Sequence, residues 1–317
     1  MSKHILEGYE TASVDGLQAK FIDVEEVTTR YYDYGQGEPI LMVHGGSMGG
    51  ASTANNFSRN IPGLSNQFRV IAVDRLAQGM TGNPIEDADF TNQGATRHMY
   101  QFIKSMNLEG LHLVGHSSGG GIMFYLALEH PEIVKTLTII SVGPQMPKRG
   151  STKFDKLLEE CPPDRTTYEH RKCRLLALGH TPETFPPDYE AADEYMGNLP
   201  KSVETRKRMD AMRAIKPGWP DEENKTYRAQ AWEKARNGGL QMPILIFCGK
   251  QDTLSWGADE PHAMMTGELN FFDLLSTKNR NVKMVIINQA GHFPYREHPE
   301  VFNADLIHFI KYWNEHR

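Results

Sequence analysis

A chain of 317 residues with 39% hydrophobic content can bury one large core and still carry an insertion. A net charge of −6 without a long basic stretch argues against nucleic acid or an anionic membrane surface as partner. Cys161, Cys173 and Cys248 suggest no disulfide framework, Met1–Gly8 lacks the apolar core of a signal peptide, and no run approaches a membrane span, so the sequence reads as soluble, cytoplasmic and reduced.

In chain order, Ala19–Asp23 and Thr28–Tyr34, the second ending at Gly35-Gln36-Gly37, read as an antiparallel hairpin start. Short apolar runs follow at Ile40–Val43, Phe68–Val73, Leu111–Val114, Thr136–Ser141, Ile244–Phe247 and Val282–Ile287. Such unbroken runs suit strands buried on both faces, as in a parallel sheet covered by helices. Helical patterns lie between them at Thr91–Met106 and Gly119–Glu129, and at the end Phe302, Leu306, Phe309, Ile310 and Trp313 recur at helical spacing along Pro299–Trp313. The alternation predicts an α/β fold with a doubly wound, mostly parallel sheet of about eight strands.

From Pro147 to Gly239 the rhythm breaks. Charged helical segments at Lys153–Glu160, Tyr168–Leu178, Tyr189–Met196, Val203–Ile215 and Thr226–Asn237 are punctuated by Pro and Gly. The division expected is a core over 1–146 and 240–317, with a helical insertion over 147–239 roofing the carboxyl ends of the strands.

Gly115-His116-Ser117-Ser118-Gly119 sits between an apolar strand and a helical run. A tight strand-to-helix turn holds a serine hydroxyl in the open, and glycines at its flanks tolerate the crowding. A nucleophilic serine also needs a histidine base, and the histidine a carboxylate to fix its tautomer. Ile244–Phe247 runs into Cys248-Gly249-Lys250-Gln251-Asp252, and Val282–Ile287 into Asn288-Gln289-Ala290-Gly291-His292. Asp252 alone would read as a turn residue and His292 alone as a surface histidine. With Ser117 they form an ordered set at three strand ends, where α/β folds gather ligands. After the first parallel strand, Val43-His44-Gly45-Gly46-Ser47-Met48-Gly49-Gly50 offers backbone N–H groups, and Gly46 with Ser118 is the candidate oxyanion pair. His44 reads as a brace of this turn; Ser47 either donates to substrate or caps a helix.

Taken together these residues resemble the α/β-hydrolase superfamily over nearly the whole chain. The resemblance implies that the helical insertion is a cap over the active site and that Asp74-Arg75-Leu76-Ala77-Gln78-Gly79 is the loop after the fourth strand, with Ala77 where the family carries glycine, a departure read as one of packing. Serine at position 117 disfavours the aspartate-dependent epoxide hydrolases and haloalkane dehalogenases of this fold. The chain is similar to capped C–C hydrolases of ring-cleavage products in length, cap position and the His-Gly-Gly turn. His116 before the serine and Phe293 after the histidine depart from them, and the cap arginine that would hold their substrate's carboxylate is open among Arg171, Arg174 and Arg206.

The expectation is therefore a serine hydrolase, cofactor- and metal-free, working through an acyl-enzyme on a small ester or lactone, with C–C hydrolysis of 2-hydroxy-6-oxo-dienoates second. A small-molecule receptor with vestigial hydrolysis is the alternative of another class. Ser47, Met48, His116, Trp256 and Phe293 are the expected substrate contacts, and Tyr189, Tyr195, Met196 and Trp219 further pocket candidates. A homodimer is compatible with the sequence.

Overall fold

The computed structural model describes residues 12, 14–50, 52–141, 150–259 and 265–316. The amino-terminal stretch read for a leader, and the 146/147 boundary, lie outside them. Eight strands form one sheet: β1 (Lys20–Val24), β2 (Val27–Tyr34), β3 (Pro39–Val43), β4 (Arg69–Val73), β5 (Leu111–His116), β6 (Val134–Ile140), β7 (Ile244–Gly249) and β8 (Val282–Ile287). Their spatial order is β1-β2-β4-β3-β5-β6-β7-β8. The two pairs involving β2 are antiparallel and the rest parallel.

Alternate residues of the central strands feed two separate cores. Leu41, Val43, Ile71, Val73, Leu113, Ile139 and Ile246 point into one. Ile40, Met42, Val70, Ala72, Val114, Ile140 and Phe247 point into the other. That is the period-two pattern with both faces apolar, and it explains why these strands read as continuous apolar runs. Helices α1 (Asn92–Ser105) and α2 (Ser118–Glu129) cover the first face through Met99, Phe102, Ile122 and Leu126. The carboxyl-terminal helix, Pro299–Glu315, covers the second through Phe302, Leu306 and Ile310.

Between β6 and β7 come α3 (Lys153–Glu159), α4 (Tyr168–Leu178), α5 (Pro187–Gly197), α6 (Pro200–Ile215) and α7 (Asp221–Arg236). The insertion expected as a single roof divides in two. Helix α7 sends Ala231 and Ala235 into the first core and packs on α1, α2 and α8 (Thr266–Ser276), so it covers the sheet. Its small apolar face, set in a charged sequence, gave no sign of that placement. Helix α4 lies over the strand ends: the Leu178 carbonyl accepts from the His292 N–H at 2.9 Å. Helix α8 was not anticipated. Helix α9 is the Pro299–Glu315 helix.

The cysteines require a correction. Cys161 and Cys173 are joined in a disulfide that ties the end of α3 to α4, and Cys248 alone is a free thiol, buried in β7. The spacing of twelve residues gave no signal because pairing depends on how two helices pack. No helix among the described residues is long and apolar enough to cross a membrane.

Candidate active site

The chain leaves β3 for β4 on one side and later returns to β5 on the other, which opens a crevice at the carboxyl ends of β3 and β5. Ser117 alone separates β5 from α2, with φ +52° and ψ −123°. A non-glycine residue at positive φ is strained, and this strain is how the turn thrusts the side chain outward. The turn is tight because α2 lies directly on the end of β3: a Cβ at Gly119 would fall 2.3 Å from the His44 carbonyl oxygen. Its backbone is pinned by the Ser117 N–H, which donates to the Ile140 carbonyl at 2.8 Å. The first helical bond runs from the Gly121 N–H to the Ser117 carbonyl, so the Ser118 N–H has no carbonyl one turn back.

The opposite wall is the His44–Gly46 turn. His44 is fully buried; its Nδ1–H donates to the Gly45 carbonyl at 2.7 Å and its Nε2 accepts from the Arg75 N–H at 3.0 Å. That bonding requires a neutral ring, and burial agrees, pulling its pKa down to about 3. Gly46 has φ +97°, and a Cβ there would meet Ser52 at 2.7 Å, so glycine is needed on both counts. The Ser118 hydroxyl donates to the Gly46 carbonyl at 2.6 Å and ties this wall to the elbow.

Asp252 and His292 come from the loops after β7 and β8. Gln251 stitches those loops together, its N–H donating to the Ala290 carbonyl and its Oε1 accepting from the Ala290 N–H. Asp252 Oδ2 accepts from His292 Nδ1 at 2.6 Å, and Oδ1 accepts from the Leu254 N–H at 3.0 Å. Both side chains are buried. With its proton on Nδ1, the His292 ring keeps Nε2 as the accepting nitrogen.

Ser117 and His292 line one cavity of about 230 Å³, together with Gly46, Ser47, Ser118, His116 and Phe293. Its other walls are Ser52, Asn56, Leu254, and, from α3 and α4, Phe154, Arg174, Leu175 and Leu178. Three of the five expected substrate contacts therefore reach it. Met48 does not: it packs against the cluster of Ala77, Phe90, Met209 and Trp219. Trp256 does not either, because its indole N–H donates to the Lys250 carbonyl and Lys153 sits over its ring. Tyr189 is held by Asn56 and the Arg296 cation. Met196 and Tyr195 belong to the second core, and Trp219 to the small cluster. His116 lines the cavity with both nitrogens engaged: Nε2–H donates to the His292 carbonyl at 2.8 Å and Nδ1 accepts from the Tyr295 hydroxyl at 3.3 Å. Burial pushes its pKa far down, which keeps it neutral.

The three candidate arginines now separate. Arg171 pairs with Asp193 and donates to the Thr166 carbonyl. Arg206 donates to the Gly49 and Gly197 carbonyls. Arg174 reaches the cavity, its guanidinium over the Phe154 ring at 5.7 Å, with no carboxylate or carbonyl pairing it among the described residues. Burial lowers its pKa, with Asp193 acting against that shift. Among the described residues no group of three His, Cys, Asp or Glu side chains is placed to hold a metal ion.

A mostly parallel eight-stranded sheet with a serine elbow after β5 and an Asp–His pair after β7 and β8 defines an α/β-hydrolase. The family model of the α/β-hydrolase fold matches residues 38–299, and the chain belongs to that family. Among curated relatives, 2-hydroxy-6-oxo-6-(2'-aminophenyl)hexa-2,4-dienoic acid hydrolase of Metapseudomonas resinovorans is 36% identical over 140 residues, 44% of this chain and 46% of the relative. The match thus spans just under half of that relative. The 2-hydroxy-6-oxononadienedioate/2-hydroxy-6-oxononatrienedioate hydrolase of Paraburkholderia xenovorans strain LB400 is 26% identical over 95% of this chain and 98% of its own length. Among solved structures, a serine hydrolase involved in carbazole degradation superposes with a TM-score of 0.67 at 25% identity, over 93% of this chain and 99% of that one.

Proposed function

We propose that this α/β-hydrolase is a serine hydrolase in which Ser117 is the nucleophile, His292 its base and Asp252 the carboxylate that orients His292. The N–H groups of Gly46 and Ser118 hold the oxyanion. Its substrate is a small carbonyl compound bearing a carboxylate, of the 2-hydroxy-6-oxo-dienoate class, cleaved at a C–C bond. One observation carries the substrate reading: Arg174 lines the same cavity as Ser117 and His292, with no carboxylate pairing it among the described residues. A half-buried guanidinium that no carboxylate or carbonyl of the described residues engages is free to donate a charge-assisted hydrogen bond to a substrate carboxylate. The names of the two curated relatives, both dienoate hydrolases, support the same class. Ester or lactone hydrolysis, placed first on sequence, becomes the second reading and is the one the assay below sets against C–C cleavage.

In this reading Arg174 anchors the carboxylate while the distal ketone lies at Ser117. The serine oxygen attacks the carbonyl carbon, its proton passing to His292. Cleavage proceeds from the 2,6-dioxo tautomer, in which the 2-hydroxyl has lost its proton and C5 has gained one. The C–C bond breaks, and its electron pair leaves as a dienolate that takes the His292 proton at oxygen. Water, deprotonated by His292, then releases the acyl group as a carboxylic acid. The cavity is small against the roughly 300–1,000 Å³ usual for ligand sites, which favours a compact acyl group.

The test is a parallel assay of a 2-hydroxy-6-oxo-dienoic acid, followed by absorbance loss, against a panel of aryl and alkyl esters and lactones. The expected result is a kcat/KM for the dienoate about two orders of magnitude or more above any ester. Preference for neutral esters would overturn the C–C reading. A single burst without further turnover would point to a receptor.

A further inference from the structure

We infer that Arg75 is a positioning residue of the oxyanion site, clamping Gly46 to Ser118 and placing a buried positive charge behind their N–H groups; the inference rests on the reading of Ser117 as nucleophile. Arg75 follows β4 and is 3% exposed. Its NH1 donates to the Gly46 carbonyl at 3.1 Å and to the Ser118 hydroxyl at 2.7 Å, and that hydroxyl donates in turn to the Gly46 carbonyl. The triangle joins the two loops that supply the oxyanion donors, through the residues that carry them.

The charge matters as well as the hydrogen bonds. The adjacent Asp74 is committed elsewhere: it takes the Arg30 guanidinium at 3.0 Å and the N–H groups of Ala54 and Met80. Among the described residues no carboxylate pairs with Arg75, and its Nε is buried without a partner. Burial lowers its pKa only to about 10, so it remains a cation at neutral pH. A neutral side chain would brace the two loops at lower desolvation cost. A fixed, unneutralised cation is useful where negative charge appears transiently, because it favours the tetrahedral oxyanion over the neutral carbonyl.

Arg75→Lys, which keeps the charge, and Arg75→Gln, which keeps donors without it, separate the two roles, with Arg75→Met removing both. Circular dichroism and Tm establish that each variant is folded. The readouts are kcat, KM and the inhibition constant of an arylboronic acid, which binds the Ser117 oxygen as a tetrahedral anion. Arg75→Gln and Arg75→Met are expected to lose kcat and boronate affinity together, by roughly 10- to 100-fold, with KM changed less than about threefold. Arg75→Lys should recover most of the boronate affinity. Should Arg75→Met not fold, the Lys and Gln pair alone decides. Boronate bound equally by wild type, Arg75→Lys and Arg75→Gln would overturn the inference alone. Wild-type protein that binds no boronate would overturn the Ser117 assignment and the inference with it.

Discussion

Single side chains set the chemistry proposed for the cavity. Arg174 matters at this scale because its guanidinium lies in the pocket, whereas Arg171 and Arg206 spend theirs on the protein. Replacing it by glutamine should raise KM for a dienoate about 10- to 100-fold, the worth of one charged hydrogen bond, and leave p-nitrophenyl acetate kinetics nearly unchanged. Equal loss on both substrates, in steady-state assays, would show a structural arginine instead. His116 illustrates the limit of reading one residue in sequence. As the residue before the serine it read as a substrate contact, and besides lining the cavity it braces the backbone of His292. Ala77 is similar: its φ of +62° explains why glycine is usual there, a backbone requirement where packing was expected.

At the scale of elements, the sheet was legible and the insertion only in part. The strands announced themselves because both faces are buried, and the Gly-x-Ser-x-Gly turn because strand, apex and helix are contiguous in the chain. The loops carrying Asp252 and His292 were also readable, since each simply continues its strand. The roof was harder. Which helix covers the cavity depends on packing between distant segments, and neither the commitment of α7 to the core nor the Cys161–Cys173 link has a local signature. That link holds α3 against α4, the two helices that bring Phe154 and Arg174 to the cavity. Reduction, or Cys161→Ser with Cys173→Ser, should lower stability by up to about 3 kcal/mol, the loop-closure scale for a ring of this size. Dienoate KM should rise with it, and thermal melts with and without reductant check the effect. An unchanged Tm would mean the bond constrains nothing that folding needs.

For the whole molecule, roof and core are joined by buried polar contacts as well as by apolar packing. Lys201 at the start of α6 donates to the Thr81 carbonyl at 2.8 Å, buried enough that its pKa falls to about 7. Unfolded, the amine would titrate near 10.5. Between these values the unfolded chain holds a proton that the folded chain has shed, so this group makes stability rise with pH from about 7 to 10. Below pH 7 both states are charged, and the burial cost is carried in full. Lys201→Met should remove that slope: the stability difference between wild type and variant, from urea melts across this range, should shift by a few kcal/mol in favour of wild type at high pH. A constant difference would mean that Lys201 stays charged in the fold.

Whether fold, roof and site combine as proposed comes down to one atom, the Ser117 oxygen. Intact-mass and peptide analysis after treatment with a fluorophosphonate should find one adduct per chain, on Ser117, lost in Ser117→Ala together with dienoate turnover. An adduct on another residue, or turnover by Ser117→Ala at the wild-type rate, would contradict the account.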